Sequence, residues 1–334
     1  MTGDPMDEVM ASWLANLPDP DSRAAALVRG RAERVLRPAG ALQRLDDVAV
    51  WLAGWQRSDT PAVASPHVVL FAGDHGVASA GVSAYPAGIT RSMVDALLAG
   101  VATANVMAAE VGATVSVVDV GVGRPTGDIA VEPALTREGF EACWQAGRKA
   151  VMAMAGVDLL ILGEMGIGNT TAAAAVCAGL FGGDAELWTG RGTGIDDATL
   201  DRKIALVRAA QHRVEGAGPL EVLRQVGGSE LVAIAGATLE ARTLSIPMIL
   251  DGFVVTSACA ALEVARPGAL DHTLAGHCSA ESGHGLLLDK LGKPPLIDLG
   301  LRLGEGTGAL AALPLVRLAT RAVNEVATFE EWGL

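Results

Sequence analysis

Short apolar runs that stop at glycine and a charged residue recur along the chain after about residue 60. Their apolar positions are continuous rather than alternating, which is typical of strands buried on both faces. The predicted strands are residues 67–72, 114–119, 158–162, 246–250 and 295–299. Helical patterns lie between them, at residues 92–111, 170–181, 200–215 and 256–265. This alternation predicts an α/β fold with a doubly wound, mostly parallel sheet.

The first 60 residues have a different pattern, which is amphipathic and helical. Residues 18–21 (Pro-Asp-Pro-Asp) interrupt it, and Trp51 and Trp55 form an apolar pair one helical turn apart. A packed helical segment is predicted here. Residues 1–8 are acidic and lack the apolar core of a signal peptide, so no secretory leader is expected.

Composition narrows the classes of function. The 334 residues carry a net charge of −13, so a broad nucleic-acid-binding face is not expected. The sequence predicts no membrane-spanning segment. Cys143, Cys177, Cys259 and Cys278 form no Cys-x-x-Cys pair and the six histidines no His-Glu-x-x-His motif, so no metal site is expected. Buried, reduced thiols in a cytoplasmic protein are the favoured interpretation.

The first candidate site is the glycine-rich segment 163–171, which follows a predicted strand and opens a helix. Gly166 and Gly168 allow a ligand to approach the backbone, and Asn169 and Thr170 can cap the helix. Free N–H groups and the helix dipole favour an anion, above all a phosphate. An ordinary tight turn is the alternative. The segment lacks the lysine of a P-loop and the spacing of a dinucleotide-binding loop.

Two further glycine-rich turns carry charged residues. Residues 190–197, which include Gly192, lead into a helix that bears Lys203, and this lysine is either a cation for a phosphate or a solvated side chain. Glu305 lies between two glycines at the end of the last predicted strand. Partial burial would raise its pKa and suit it to general-base catalysis, although a surface carboxylate is equally common in such a loop.

Weaker signals lie elsewhere on the same predicted edge of the sheet. Asp74 and His75 are adjacent, so a structural or positioning role is favoured over a catalytic pair. Tyr85, the only tyrosine, is either one wall of an aromatic pocket or part of an ordinary turn. Asp251 and the segment 279–284 either line a site or bind backbone groups.

Taken in order, these motifs resemble the nicotinate-nucleotide–dimethylbenzimidazole phosphoribosyltransferase family, from about residue 20 to 330. The series, rather than any single motif, makes the resemblance specific. Its motifs are Phe-Ala-Gly-Asp-His-Gly-Val at 71–77, Val-Ser-Ala-Tyr-Pro at 82–86, Val-Val-Asp-Val-Gly-Val at 117–122, Gly-Glu-Met-Gly-Ile-Gly-Asn-Thr-Thr at 163–171, Gly-Arg-Gly-Thr-Gly-Ile-Asp-Asp at 190–197, Leu-Asp-Gly-Phe at 250–253, Ser-Ala-Glu-x-Gly-His at 279–284 and Leu-Arg-Leu-Gly-Glu-Gly-Thr-Gly at 301–308.

The resemblance implies a Rossmann-like catalytic domain (61–308), a small helical domain from both chain ends (1–60 plus 309–334) and a homodimer. It implies phosphoribosyl transfer from nicotinate mononucleotide to 5,6-dimethylbenzimidazole, giving α-ribazole 5′-phosphate and nicotinate, without a cofactor. Glu305 falls on the family's base and Glu164 on a second carboxylate. The implied phosphate site comprises Gly166, Ile167, Gly168, Asn169 and Thr170, with Lys203 as a cation. The implied base pocket includes Ser83, Met165 and Leu303.

The chain departs from the family pattern at 87–92, where members often carry a glutamate and a glutamine. Arg91 is predicted to stand at the mouth of the base pocket and to affect which base is accepted. Transfer to a purine or a phenol is therefore one alternative function. A catalytically silent nucleotide-binding regulator is another, and a dinucleotide-dependent dehydrogenase is disfavoured. The expected partners are small molecules, with neither nucleic acid nor membrane.

Overall fold

The structure, a computed structural model, describes residues 12–334. The acidic segment 1–8, for which no leader is expected, lies outside the described residues. All strands of the described chain pair in parallel, in the order β2–β1–β3–β4–β5. The strands are β1 (Pro66–Gly73), β2 (Thr114–Gly121), β3 (Leu159–Met165), β4 (Met248–Leu250) and β5 (Thr273–Ala275).

Helices cover both faces of this sheet. They are α1 (Ser22–Ala32), α2 (Gln43–Gln56), α3 (Ile89–Leu98), α4 (Thr103–Glu110), α5 (Arg137–Met152), α6 (Asn169–Phe181), α7 (Ala185–Trp188), α8 (Asp197–Arg213), α9 (Pro219–Val226), α10 (Ser229–Thr243), α11 (Phe253–Ala265), α12 (Ser282–Leu291) and α13 (Thr307–Asn324). A 3-10 turn spans Gly76–Ala80.

The continuous apolar pattern of β1 reflects burial on both sides of the sheet. Val69 and Phe71 belong to a core that α5, α6, α10 and α11 complete. Val68 and Leu70, which alternate with them, belong to a second core formed with α1, α2, α4 and α13. Successive side chains of a strand point to opposite faces, so both faces require apolar residues. The predicted α/β fold with a parallel sheet is confirmed.

One predicted strand is wrong. Residues 295–299 form no strand, and the fifth strand is β5, which the sequence pattern did not predict. Pro294 and Pro295 lack backbone N–H groups and cannot donate to a ladder, so pairing begins only at Leu296 and Ile297, whose N–H groups donate to the Ala275 and Gly276 carbonyl oxygens. It contributes a single bridge, from Ile297 to His277. Glu305 consequently does not end a strand; it lies in the turn that opens α13.

The predicted helix at 92–111 consists of two helices, α3 and α4. They separate at Ala99–Ala102, where Gly100 has a φ of +76°. Within the described chain, Ile89–Glu110 is the segment whose length and hydropathy match a membrane span. A single such segment is weak evidence for a span, because helices of a folded core meet the same criteria. Both helices pack on β2.

The two chain ends meet in one layer of helices. α13 packs against α2 and α1. Arg31 donates from Nε to the Val323 carbonyl oxygen at 2.9 Å, and its guanidinium also pairs with Glu331. This layer shares a core with sheet residues such as Ile161. A separate small domain from residues 1–60 and 309–334 stays a prediction. Residues 1–11 of that predicted domain lie outside the described chain.

Candidate active site

An open cleft of about 810 Å³, including the solvent at its mouth, lies beyond the carboxyl ends of β3 and β4. Ligands of open parallel sheets bind at this edge of the sheet. Most of the predicted site residues contribute to its walls. These are Ser83, Glu164, Met165, Gly166, Ile167, Gly168, Asn169, Thr170, Gly192 and Leu303.

Four predicted site residues lie outside these walls. Lys203 and Glu305 are buried. Each has a neighbour that lines the cleft: Gly192 lies close to Lys203 in space, and Gly304 precedes Glu305 in sequence. Tyr85 is 51% exposed and Arg91 donates from Nη2 to Asp119 Oδ2 at 3.1 Å. The predicted roles of Tyr85 and Arg91 in a base pocket stay predictions.

The loop after β3 packs closely against the end of β1. A Cβ atom on Gly166 would lie 2.5 Å from the carbonyl oxygen of Gly73, at the end of β1. Gly168 has a φ of +97° and opens α6, so it turns the chain sharply from strand to helix. The start of α6 therefore faces the cleft, where the positive end of the helix dipole favours an anion. The Asn169 and Thr171 N–H groups donate to the carbonyl oxygens of Gly166 and Gly168.

Glu164, in the penultimate position of β3, is the most strongly perturbed acid of the cleft. Burial, together with the nearby carboxylates of Asp251 and Glu230, raises its pKa to about 8. The Asn169 side-chain amide donates a hydrogen bond to Glu164 Oε2, which opposes the shift. Glu164 is therefore mostly protonated at pH 7 in the ligand-free protein, and a cation in the cleft would favour its ionised form.

We expect Glu164→Gln to stabilise the protein at alkaline pH. The pKa of Glu164 is about 8 when folded, against an ordinary value of 4.5. Between these values the unfolded state binds fewer protons, so the glutamate lowers stability as pH rises, and the effect is complete above pH 8. The difference in free energy of unfolding, variant minus wild type, is the quantity to compare. It should be larger at pH 8.5 than at pH 5 by more than about 1.4 kcal/mol.

Urea unfolding of both proteins at pH 5 and pH 8.5 measures this difference. Glu141→Gln, on the exposed surface of α5, is the matched control and should show the same change at both pH values. An equal change at both pH values for Glu164→Gln would contradict the shifted pKa.

Lys203 is buried, not solvated. Its Nζ donates to Thr170 Oγ1 at 2.8 Å and to the Gly190 carbonyl oxygen at 2.9 Å. Burial lowers its pKa to about 8, and the Glu281 carboxylate opposes that shift. The two glycine-rich turns thus meet at one buried cation, directly beside the start of α6.

Glu305 stands in a turn of three residues that are all left-handed. The φ angles of Gly304, Glu305 and Gly306 are +88°, +60° and +76°. A left-handed conformation costs a residue other than glycine about 1–2 kcal/mol, so the surrounding structure must hold Glu305 in place. Its Oε2 accepts the Ala104 N–H at 3.5 Å, at the start of α4. Burial is the main cause that raises the pKa of Glu305, and the charge of Asp251 raises it further.

Sequence reasoning missed several residues of the cleft. Phe253, His277 and Arg302 line it. Asp251, which the sequence offered only as a weaker candidate, is 1% exposed and precedes the lining residue Gly252. Asp251 and Phe253 follow β4 in the same strand–glycine pattern that revealed the loop after β3, so that pattern was an available signal. His277 follows the unpredicted strand β5 and carried no comparable signal.

Comparison with known proteins agrees with this geometry. A family model described as "Phosphoribosyltransferase" matches residues 17–334. A protein of Allorhizobium ampelinum named nicotinate-nucleotide–dimethylbenzimidazole phosphoribosyltransferase is 47% identical, covering 100% of this chain and 98% of the relative. A protein of the same name from Mesorhizobium japonicum is 48% identical, covering 98% of each chain.

Solved structures give the same result for the fold. The crystal structure of CobT from Thermus thermophilus has a TM-score of 0.90 and 44% identity, covering 93% of this chain and 99% of that one. A second structure from Thermus thermophilus, with the full enzyme name, has a TM-score of 0.89 and 42% identity, covering 94% of this chain and 98% of that one. The cleft, the full-length relatives and these structures agree that the chain is an enzyme of the nicotinate-nucleotide–dimethylbenzimidazole phosphoribosyltransferase family.

Proposed function

We propose that this enzyme transfers the phosphoribosyl group of nicotinate mononucleotide to 5,6-dimethylbenzimidazole, with α-ribazole 5′-phosphate and nicotinate as products. The observation that carries the proposal is that a helix start, a buried lysine and two buried carboxyl groups with raised pKa values lie in or beside one cleft. The relatives' names supply the substrates.

The nucleotide's phosphate fits the loop from Gly166 to Thr170. The start of α6 presents the positive end of its helix dipole, and Lys203 lies beside Thr170 as a cation already free of most of its hydration. One helix start and one lysine suffice for one phosphate, so the net charge of −13 is no obstacle.

The chemical step is a displacement at C1′ of the ribose. One benzimidazole nitrogen bonds to C1′ while the C1′–N bond to the pyridinium breaks, and the bonding pair returns to the ring nitrogen, which loses its positive charge as nicotinate leaves. Attack from the opposite face inverts C1′ from β to α. The other benzimidazole nitrogen loses its proton, and we assign Glu305 as the general base that accepts it. Its raised pKa makes it a stronger base than an exposed glutamate.

Glu164 is assigned to the sugar side of this step. It lines the cleft beside the nucleotide loop, and its pKa of about 8 allows a cationic ligand to convert it to a carboxylate. Both the pyridinium of the substrate and the positive charge that develops at C1′ would be stabilised by that carboxylate.

Incubation of the purified protein with nicotinate mononucleotide and dimethylbenzimidazole tests the proposal. Chromatography should detect α-ribazole 5′-phosphate and an equal amount of nicotinate. Absence of product while the nucleotide still binds would favour the silent regulator. The same assay with dimethylbenzimidazole, adenine and p-cresol in competition identifies the preferred base.

Lys203→Met is expected to weaken the binding of nicotinate mononucleotide about 10- to 100-fold, since a hydrogen bond to a charged group contributes about 1.5–3 kcal/mol. Titration calorimetry at pH 7 measures the dissociation constant. Lys290→Met, an exposed lysine at the end of α12, serves as the control and should bind like wild type. Wild-type affinity in Lys203→Met would remove this lysine from the phosphate site.

The expected homodimer is proposed on separate grounds. Leu98, Val101 and Val106, at the junction of α3 and α4, are 67%, 70% and 64% exposed. Several large apolar side chains exposed together favour an interface between copies of the chain. Sedimentation equilibrium should return twice the chain mass of 34.0 kDa. Val106→Glu should shift the measured mass toward that of the single chain.

A further inference from the structure

Asp251 is a buried carboxylate that accepts two backbone N–H groups from a distant turn and the helix that follows it. It follows β4 and is 1% exposed. Its Oδ2 accepts the Gly306 N–H at 3.1 Å and its Oδ1 accepts the Ala309 N–H at 2.9 Å. These two donors are 55 and 58 residues further along the chain. Asp251 thereby joins the end of β4 to the turn that carries Glu305.

This contact holds a turn that would not persist alone. Gly304, Glu305 and Gly306 are all left-handed, and only two of them are glycine. Asp251 binds the residue directly after Glu305 and satisfies N–H groups at the start of α13 that have no partner within the helix. The position of the Glu305 carboxyl group therefore depends on both oxygens of Asp251.

We propose that Asp251 is a positioning residue for Glu305. The two oxygens of Asp251 hold the left-handed turn, and its negative charge lies near the Glu305 carboxyl group. The inference rests on the proposed function, in which Glu305 takes the proton of the attacking base. Other groups near the turn are the Glu164 carboxyl on β3, with Glu230 of α10 close to it, and His277, whose Nε2 lies 3.6 Å from Asp251 Oδ1. All of these remain in the variants below.

Two substitutions separate the contacts of Asp251 from its charge. Asp251→Asn removes the charge and places an amide N–H group against a backbone N–H group, so it breaks one of the two bonds. Asp251→Glu keeps the charge but is one methylene too long for the same geometry. We expect both variants to lower kcat about 10- to 100-fold, because small displacements of a reacting group are costly. The dissociation constant of nicotinate mononucleotide should stay within about threefold of wild type.

The charge has a signature that a purely structural role lacks. A negative neighbour favours the protonated form of Glu305, so its removal should let Glu305 ionise at lower pH. The midpoint of the Glu305 titration should move to lower pH in Asp251→Asn and stay in place in Asp251→Glu. Carbon-13 NMR of protein labelled at the glutamate carboxyl carbon measures this midpoint without turnover and separates Glu305 from Glu164, whose pKa the charge of Asp251 also raises. The Glu305 signal is assigned by its loss in Glu305→Gln.

Asp158→Asn is the matched control. Asp158 Oδ2 also accepts two backbone N–H groups, from Ala64 at 2.5 Å and Ser65 at 2.9 Å, but at the opposite edge of the sheet. This variant should lose stability without a change in kcat or in the Glu305 midpoint.

The outcomes are distinguishable. Wild-type kcat in both Asp251 variants, or an unchanged Glu305 midpoint in Asp251→Asn, would overturn the inference. Near-ultraviolet circular dichroism shows whether Asp251→Asn folds. If it does not fold, Asp251→Glu carries the test. Lost turnover with an unchanged Glu305 midpoint in Asp251→Glu supports the inference, and wild-type turnover overturns it. If the wild-type enzyme forms no α-ribazole 5′-phosphate, the proposed function fails, and the NMR midpoints still decide whether Asp251 acts on Glu305.

Discussion

Glu305→Gln should reduce kcat about 10²- to 10⁴-fold, which is the usual contribution of a general base. Glutamine has nearly the same shape as glutamate and can still accept the Ala104 N–H, so the turn should keep its conformation. It cannot take the proton of the attacking benzimidazole. The loss should therefore appear in turnover, with the dissociation constant of nicotinate mononucleotide within about threefold of wild type.

Single-turnover kinetics with saturating nucleotide measures this effect, because it excludes product release. Glu240→Gln is the control: Glu240 is a buried glutamate on α10 that is not among the residues lining the cleft, and it pairs with Arg148 at 2.7 Å. It should lose stability but retain kcat. Near-normal turnover in Glu305→Gln would remove Glu305 from the mechanism.

Gly163→Ala is expected to have the second largest effect. Gly163 lies within β3, and a Cβ atom there would be 2.7 Å from both the carbonyl carbon of Glu305 and the nitrogen of Gly306. It would also be 2.4 Å from Leu70 Cδ2. Backbone atoms cannot rotate away as a side chain can, so the Glu305 turn must shift. We expect kcat to fall about 100-fold, and stability to fall by about 1–3 kcal/mol.

Steady-state kinetics and thermal unfolding measure the two effects. Gly30→Ala, on α1 with no atom within 4 Å of its added Cβ, is the control and should keep kcat. The double variant Gly163→Ala with Leu70→Ala relieves only the side-chain contact. Recovery of activity in the double variant would contradict displacement of the turn as the cause.

The strands of the sheet's centre were predictable because both of their faces are buried. Most residues of β1 and β3 are apolar and buried, and such runs are distinctive in sequence. β5 has only three residues, Thr273–Ala275, and a polar residue begins it. The segment 295–299 looked more like a strand, yet Pro295 lacks an N–H group and the segment forms only a single bridge.

The candidate site was predictable where one segment carries both the glycines and the chemistry. The loop after β3 is of this kind, and its position at the strand's end is as predicted. Lys203 was ambiguous because burial of a lysine depends on Thr170 and Gly190, which no helical periodicity reveals. Asp251 was undervalued because its partners are backbone N–H groups more than 50 residues away. Side-chain identity carries no record of such contacts.

The packing of α2 against α13 has a consequence during protein synthesis. About 250 residues separate Gln56 from Thr307, so at 5–20 residues per second the ribosome needs roughly 10–50 s to complete the partner of α2. Throughout that interval Val48 and Leu52, which are buried in the finished protein, lack α13 as their cover. The nascent chain therefore exposes an apolar helix face for most of its translation, and its yield in cells should depend on holding chaperones.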